Sequence, residues 1–103
     1  MSVTDSDIAF VHELFDGLGT ITHRKMMGGL SIYCDGQIFA ILSSEGRLYL
    51  KAAGDFAAEM EAAGAVRFEM EDGRGMNYRT LPDAALDDPD LACGWARRAL
   101  AAL

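Results

Sequence analysis

By residue type, the side chains in this sequence best suited to nucleophilic or metal chemistry are Cys34, Cys93, His12 and His23. A thiol works as a nucleophile when a base lies within hydrogen-bond reach and a third group orients that base. Cys34 with His12 or His23 is the pair to consider. Cys34 sits one residue before an Asp35-Gly36 turn signal, His12 lies mid-helix, and neither has motif-type surroundings. Cys34 therefore reads as a buried or edge thiol. No two of the four ligands have the short spacing of a zinc site, so the expectation is no metal, no cofactor and no catalytic residue.

Three further groups carry charge chemistry. Glu69, Glu71 and Asp72 cluster near a glycine turn without the oxygen-ligand spacing of a calcium loop, and read as a solvated turn. Lys51 follows an apolar run, where a lysine lays its stem along a sheet or guards an edge. The stretch His23-Arg24-Lys25-Met26-Met27-Gly28-Gly29 places two cations before two glycines. Its backbone amides could approach an anion, but a tight bend or bulge explains the glycines more simply. If Arg24, Lys25, Arg67 and Arg79 converged on one side, with Lys51, they would form a small basic face able to contact nucleic acid.

Composition limits that alternative. The chain has 103 residues, 9 Lys+Arg against 16 Asp+Glu, and a formal net charge of -7. Nucleic-acid affinity comes largely from neutralising phosphates, which an acidic domain does poorly. Half the residues are hydrophobic, enough for one core and one domain over 1–103. No apolar run approaches a membrane span, and the start lacks a secretory signal, so a cytoplasmic location with two reduced thiols is expected.

The elements that must position these residues follow from periodicity. Thr4 and Ser6 are cap-type residues ahead of Ile8, Val11, Leu14, Phe15 and Leu18, a helical stripe stopped at Gly17 and Gly19. Short β-type runs then flank Asp35-Gly36 and Glu45-Gly46. If both are two-residue turns, Ile32 faces Phe39, Leu30 faces Ile41, Ile41 faces Leu50 and Ser43 faces Leu48. Leu30, Ile32, Phe39, Ile41, Leu48 and Leu50 then share the core side. Gly54-Asp55 reads as the entry to a second helix with Phe56, Ala57, Met60 and Ala63 as its apolar stripe, ending at Gly64. Val66, Phe68 and Met70, a turn over 71–75, and Met76, Tyr78 and Thr80 read as a second hairpin closed by Pro82. Asp88, Pro89 and Asp90 announce a last helix with Leu91, Trp95, Ala99 and Leu103 on one stripe. The fold class is α+β: an antiparallel strand meander plus a second hairpin, with an N-terminal, a middle and a C-terminal helix.

The other side of the meander would carry Ser31, Tyr33, Ile38, Ala40, Leu42, Tyr49 and Lys51, too apolar for a solvated face. Either one of the chain's own helices covers it or a partner does. Tyr33, Ile38, Leu42, Tyr49 and Lys51 are the expected interface in the second case, and a homodimer is one way of covering such a face.

Arg24-Lys25-Met26-Met27-Gly28-Gly29-Leu30, Asp35-Gly36-Gln37-Ile38-Phe39-Ala40, Arg47-Leu48-Tyr49-Leu50-Lys51-Ala52, Met76-Asn77-Tyr78, Leu81-Pro82 and Trp95-Ala96 together resemble the N-terminal domain of the TfoX (Sxy) family. The resemblance runs from the first helix to the last. It implies a regulatory, protein-contacting domain linked to natural competence, where full-length members are thought to work alongside the cyclic-AMP receptor protein. Those members carry a second, C-terminal domain resembling a helix-hairpin-helix module, and this chain ends at Leu103, so a stand-alone version is expected. The family offers no catalytic residues to carry over. A non-enzymatic interaction domain docking a transcription component follows, with direct nucleic-acid binding as the alternative.

Overall fold

The computed structural model describes residues 3–26, 28–68 and 77–103, Met26 by its backbone alone. The expected acidic cluster Glu69, Glu71 and Asp72, the turn over 71–75, Met27, Met70 and Met76 lie outside the described residues. Among the described residues the architecture is α+β with three helices, α1 (Asp5–Leu14), α2 (Asp55–Ala62) and α3 (Pro89–Ala101), and a five-stranded antiparallel sheet. Its strands are β1 (Ile21–Met26), β2 (Gly29–Cys34), β3 (Gln37–Leu42), β4 (Leu48–Lys51) and β5 (Tyr78–Thr80), in that spatial order.

The starts of α1 and α3 are fixed by side-chain oxygens that satisfy otherwise orphaned backbone donors. Thr4 Oγ1 accepts from the Asp7 amide at 3.2 Å while Asp7 Oδ2 accepts from the Thr4 amide at 2.9 Å, a reciprocal capping box. Asp88 Oδ1 accepts from the Leu91 amide at 3.2 Å, with Pro89 at the first helical position. All three helices bury their apolar stripes against one face of the sheet: Val11, Leu14, Phe56, Met60, Ala92, Ala96 and Ala99 share a core cluster with Leu30, Ile32, Phe39, Leu48 and Leu50. Phe15, just beyond α1, meets Phe39 edge-on with ring centroids 5.1 Å apart. Between α2 and α3, Arg98 sits over both Phe56 and Trp95 and pairs with Glu59, tying the two helices together.

The sheet departs from the expected register in two places. Around Asp35-Gly36 both turn residues have positive φ, 50° and 86°, and Cys34 faces Gln37 and Tyr33 faces Ile38, as a two-residue turn requires. Beyond them a β-bulge leaves Phe39 unpaired, so Ile32 faces Ala40, Ser31 faces Ile41 and Leu30 faces Leu42. The second turn is a three-residue loop over 44–46, with Gly46 at φ 84° and the Ser43 amide bonded to the Arg47 carbonyl at 2.8 Å. It shifts β4 by one, so Leu42 faces Leu48, Ile41 faces Tyr49 and Ala40 faces Leu50. The two shifts compensate. Leu30, Ile32, Phe39, Leu48 and Leu50 stay on the core side, but Ile41 crosses to the second face while Ala40 and Leu42 join the core.

Two further corrections concern β1 and α3. The chain before Gly29 is a full strand rather than only a bend into the meander, with Lys25 facing Leu30 and Ile21 facing Cys34. The buried stripe of α3 is Ala92, Cys93, Ala96 and Ala99, whereas Leu91 and Leu103 are 41% and 46% exposed. Small residues let the helix axis come close to the sheet, and Trp95 packs at the flank against Phe56. Val66–Phe68 runs beside β5 through an Arg67–Arg79 bridge, and β5 itself extends the meander by pairing with β4.

Candidate interaction surface

Because every helix packs on one face, the described helices leave the second face of the sheet to its own side chains. Strand alternation places Thr22 and Arg24 of β1, Ser31 and Tyr33 of β2, Ile38 and Ile41 of β3, Tyr49 and Lys51 of β4, and Tyr78 and Thr80 of β5 on it. Four of the five residues expected at an interface, Tyr33, Ile38, Tyr49 and Lys51, lie here. The fifth, Leu42, is fully packed in the core because the bulge at Phe39 turns it to the helix side.

The centre of this face is compact and its margin accessible. Ser31, Ile41, Tyr49 and Thr80 are buried, while Tyr33, Ile38, Lys51 and Tyr78 are half-buried. Phe68 lies over the centre, its ring 4.7 Å from that of Tyr49 and tilted by 55°. Phe68 and Tyr78, whose alternation in the sequence indicates only a hairpin, thus add two aromatic rings to the surface. Burial pushes the Tyr78 phenol up, and the Tyr33 phenol adds to that shift. Burial also raises the Tyr49 phenol, with Arg47 opposing. The phenols are neutral donors at physiological pH. Amphipathic aromatics beside aliphatic and lysine side chains make contact area with a polar handle, the composition found at protein interfaces.

The basic residues do not form one face. Arg24 and Lys25 lie on β1, and Arg67 and Arg79 lie at β5, the opposite side of a five-stranded sheet. At about 4.8 Å per strand the two pairs are roughly 19 Å apart. Arg79 is nearly buried on the helix side, and its Nε donates to Glu61 Oε2 of α2 at 2.8 Å. Arg67 faces it across the bridge, and the two arginines with Glu61 and Val66 line an open depression. Arg24 points to the second face and Lys25 to the helix side.

The candidate nucleophiles and ligands are likewise dispersed. His12 and His23 do meet, Nε2 to Nδ1 at 2.8 Å with rings at 85°, linking α1 to β1. Cys34 Sγ has Leu18 O at 3.9 Å and Asp35 Oδ2 at 3.8 Å as its polar neighbours, and no imidazole. Cys93 Sγ donates to Leu14 O at 3.6 Å. Burial, then the Asp35 carboxylate, push the Cys34 thiol up, and burial raises that of Cys93 against the opposing charge of Arg97. Both are free thiols held protonated near neutral pH, the reverse of an activated nucleophile. Among the described residues no three His, Cys, Asp or Glu side chains are grouped to hold a metal ion, and no helix is long and apolar enough to cross a membrane.

The model of the TfoX N-terminal domain matches residues 13–103, most of the chain. The chain belongs to that family. The match begins within α1 and takes in all five strands, α2 and α3, so the second sheet face lies wholly inside the TfoX N-terminal domain. No curated protein matches the chain.

Proposed function

We propose that this TfoX N-terminal domain is a non-enzymatic regulatory module that contacts a protein partner through the second sheet face, in competence-type transcriptional regulation in the cytoplasm. The observation that carries the reading is the half-buried Tyr33, Ile38, Lys51 and Tyr78 around a Tyr49–Phe68 centre, on the side of the sheet opposite all three helices. Aromatic anchors on a rigid sheet lose little conformational entropy on docking, which favours them as interface centres. Raised thiol pKa values are what a structural rather than an activated cysteine has. The separation of Arg24 and Lys25 from Arg67 and Arg79 weighs against direct nucleic-acid binding, which needs its cations on one surface. A second copy of the chain is the other occupant this face would accept.

The test uses Ile38→Glu. Tyr49 is a poor target because it is buried against Phe68, whereas Ile38 is accessible beside the Asp35-Gly36 turn. Affinity capture with wild-type and Ile38→Glu bait, with circular dichroism to show both are folded, should lose a transcription component in the variant. Sedimentation of the same two proteins reports self-association. A partner retained equally by both baits would refute the assignment of this face.

A further inference from the structure

The two long edges of the sheet are treated differently. At β5 the outer edge is occupied: the Phe68 amide donates to Tyr78 O at 3.0 Å and the Thr80 amide to Val66 O at 2.9 Å. At β1 the Asp35 amide donates to Thr20 O at 2.9 Å, which makes Thr20 and each second residue after it the ones bonded to β2. The intervening Ile21, His23 and Lys25 therefore turn their backbone N–H and C=O groups away from the sheet. Among the described residues no backbone bond beyond those of the β1–β2 ladder engages them. A six-residue strand whose edge no described residue pairs with is a template for another strand.

The charge on this edge selects what can pair with it. Arg24 and Lys25 are exposed, point to opposite faces of the sheet, and are in no ion pair among the described residues. In a chain of net charge -7 they form a local cationic spot at a free edge. Antiparallel self-pairing through this edge would gather two Arg24 and two Lys25 side chains, which disfavours a second copy. A strand bearing neighbouring carboxylates, one toward each face, would meet both cations while its main chain bonds to Ile21, His23 and Lys25. We propose that the β1 edge is a docking site for an extended acidic segment of a partner protein, which adds a sixth strand to the sheet. This surface is distinct from the second sheet face, and either can fail without the other.

Fluorescence anisotropy on the full chain tests it, using a labelled eight-residue peptide of Val and Thr with a central Glu-Asp pair and a control with Lys-Lys there. The acidic peptide should bind, more weakly as salt rises, and the control should not. Reversing both charges in R24E/K25E should weaken binding about tenfold or more, since two attractive cross-strand pairs become repulsive. Lys25→Pro removes an outward donor without touching the ladder to β2, so it should bind more weakly than Lys25→Thr, which loses only the charge. Circular dichroism confirms that each variant is folded. Absence of acidic-peptide binding at low salt, equal binding by Lys25→Pro and Lys25→Thr, or concentration-dependent dimerisation abolished by Lys25→Pro would each overturn the proposal.

Discussion

Gly29→Ala isolates the packing that holds β2 and β3 in their shifted register. A Cβ at this position would stand 2.6 Å from the Leu42 carbonyl oxygen, about 0.8 Å inside the 3.4 Å at which ordinary contact begins. The obstructing atom is backbone, and it belongs to the last residue of β3, just before the three-residue loop. Relief therefore requires the Leu30–Leu42 end of the ladder to open or β2 to tilt, rather than a side chain to swing aside. Forced overpacking of this kind costs about 1–3 kcal/mol, and a backbone obstruction places the substitution near 2 kcal/mol. With a urea dependence of about 1–1.5 kcal/mol per molar for a chain this short, the unfolding midpoint should fall by roughly 1.5 M. Urea titration followed by circular dichroism measures this directly. A midpoint within about 0.3 M of wild type would mean the two strands are not packed this closely, and the register drawn from that packing would be wrong.

Gly94→Ala should act in the opposite sense: nothing lies within 4 Å of a Cβ there, and an interior helix position gains about 0.5–1 kcal/mol from the change, visible as a raised midpoint. The buried thiols give an alkaline limit. Because folding raises Cys34 and Cys93 above the usual 9.0, the native state binds more protons than the unfolded chain just above that pH, so stability is intact below about pH 9 and falls as pH rises further. A midpoint-versus-pH series should show the decline shifted or reduced in Cys34→Ala, and native-state alkylation of both thiols at pH 7.5 should be slow compared with the unfolded protein.

The sequence carried the local signals well because they depend on near neighbours. Thr4 with Asp7, Asp88 with Pro89, and Asp35-Gly36 each satisfy a backbone requirement within three residues, and the starts of α1 and α3 and the first turn stand where those signals point. β1 gave little signal because Thr22, Arg24 and Lys25 are exposed on an edge and show no apolar alternation. The bulge at Phe39 and the loop over 44–46 each add a residue that periodicity cannot register, and their cancellation kept most of the core on the right face while exchanging Ile41 with Leu42. In α3, hydrophobicity ranked Leu91 and Leu103 above the alanines, although close approach to the sheet favours small side chains. The surface gained Phe68 and Tyr78 only through pairing between β4, β5 and Val66–Phe68, contacts distant in sequence.

Site-specific photo-cross-linking tests the central claim most directly. A benzophenone side chain replaces Ile38 on the second sheet face, or Phe10 on exposed α1, and the full chain is irradiated in its own cells. The account predicts a cross-linked transcription component from position 38 and none from position 10, with the product lost when Tyr33→Glu is added. The same partner captured from position 10 alone, or from position 38 regardless of Tyr33→Glu, would contradict it.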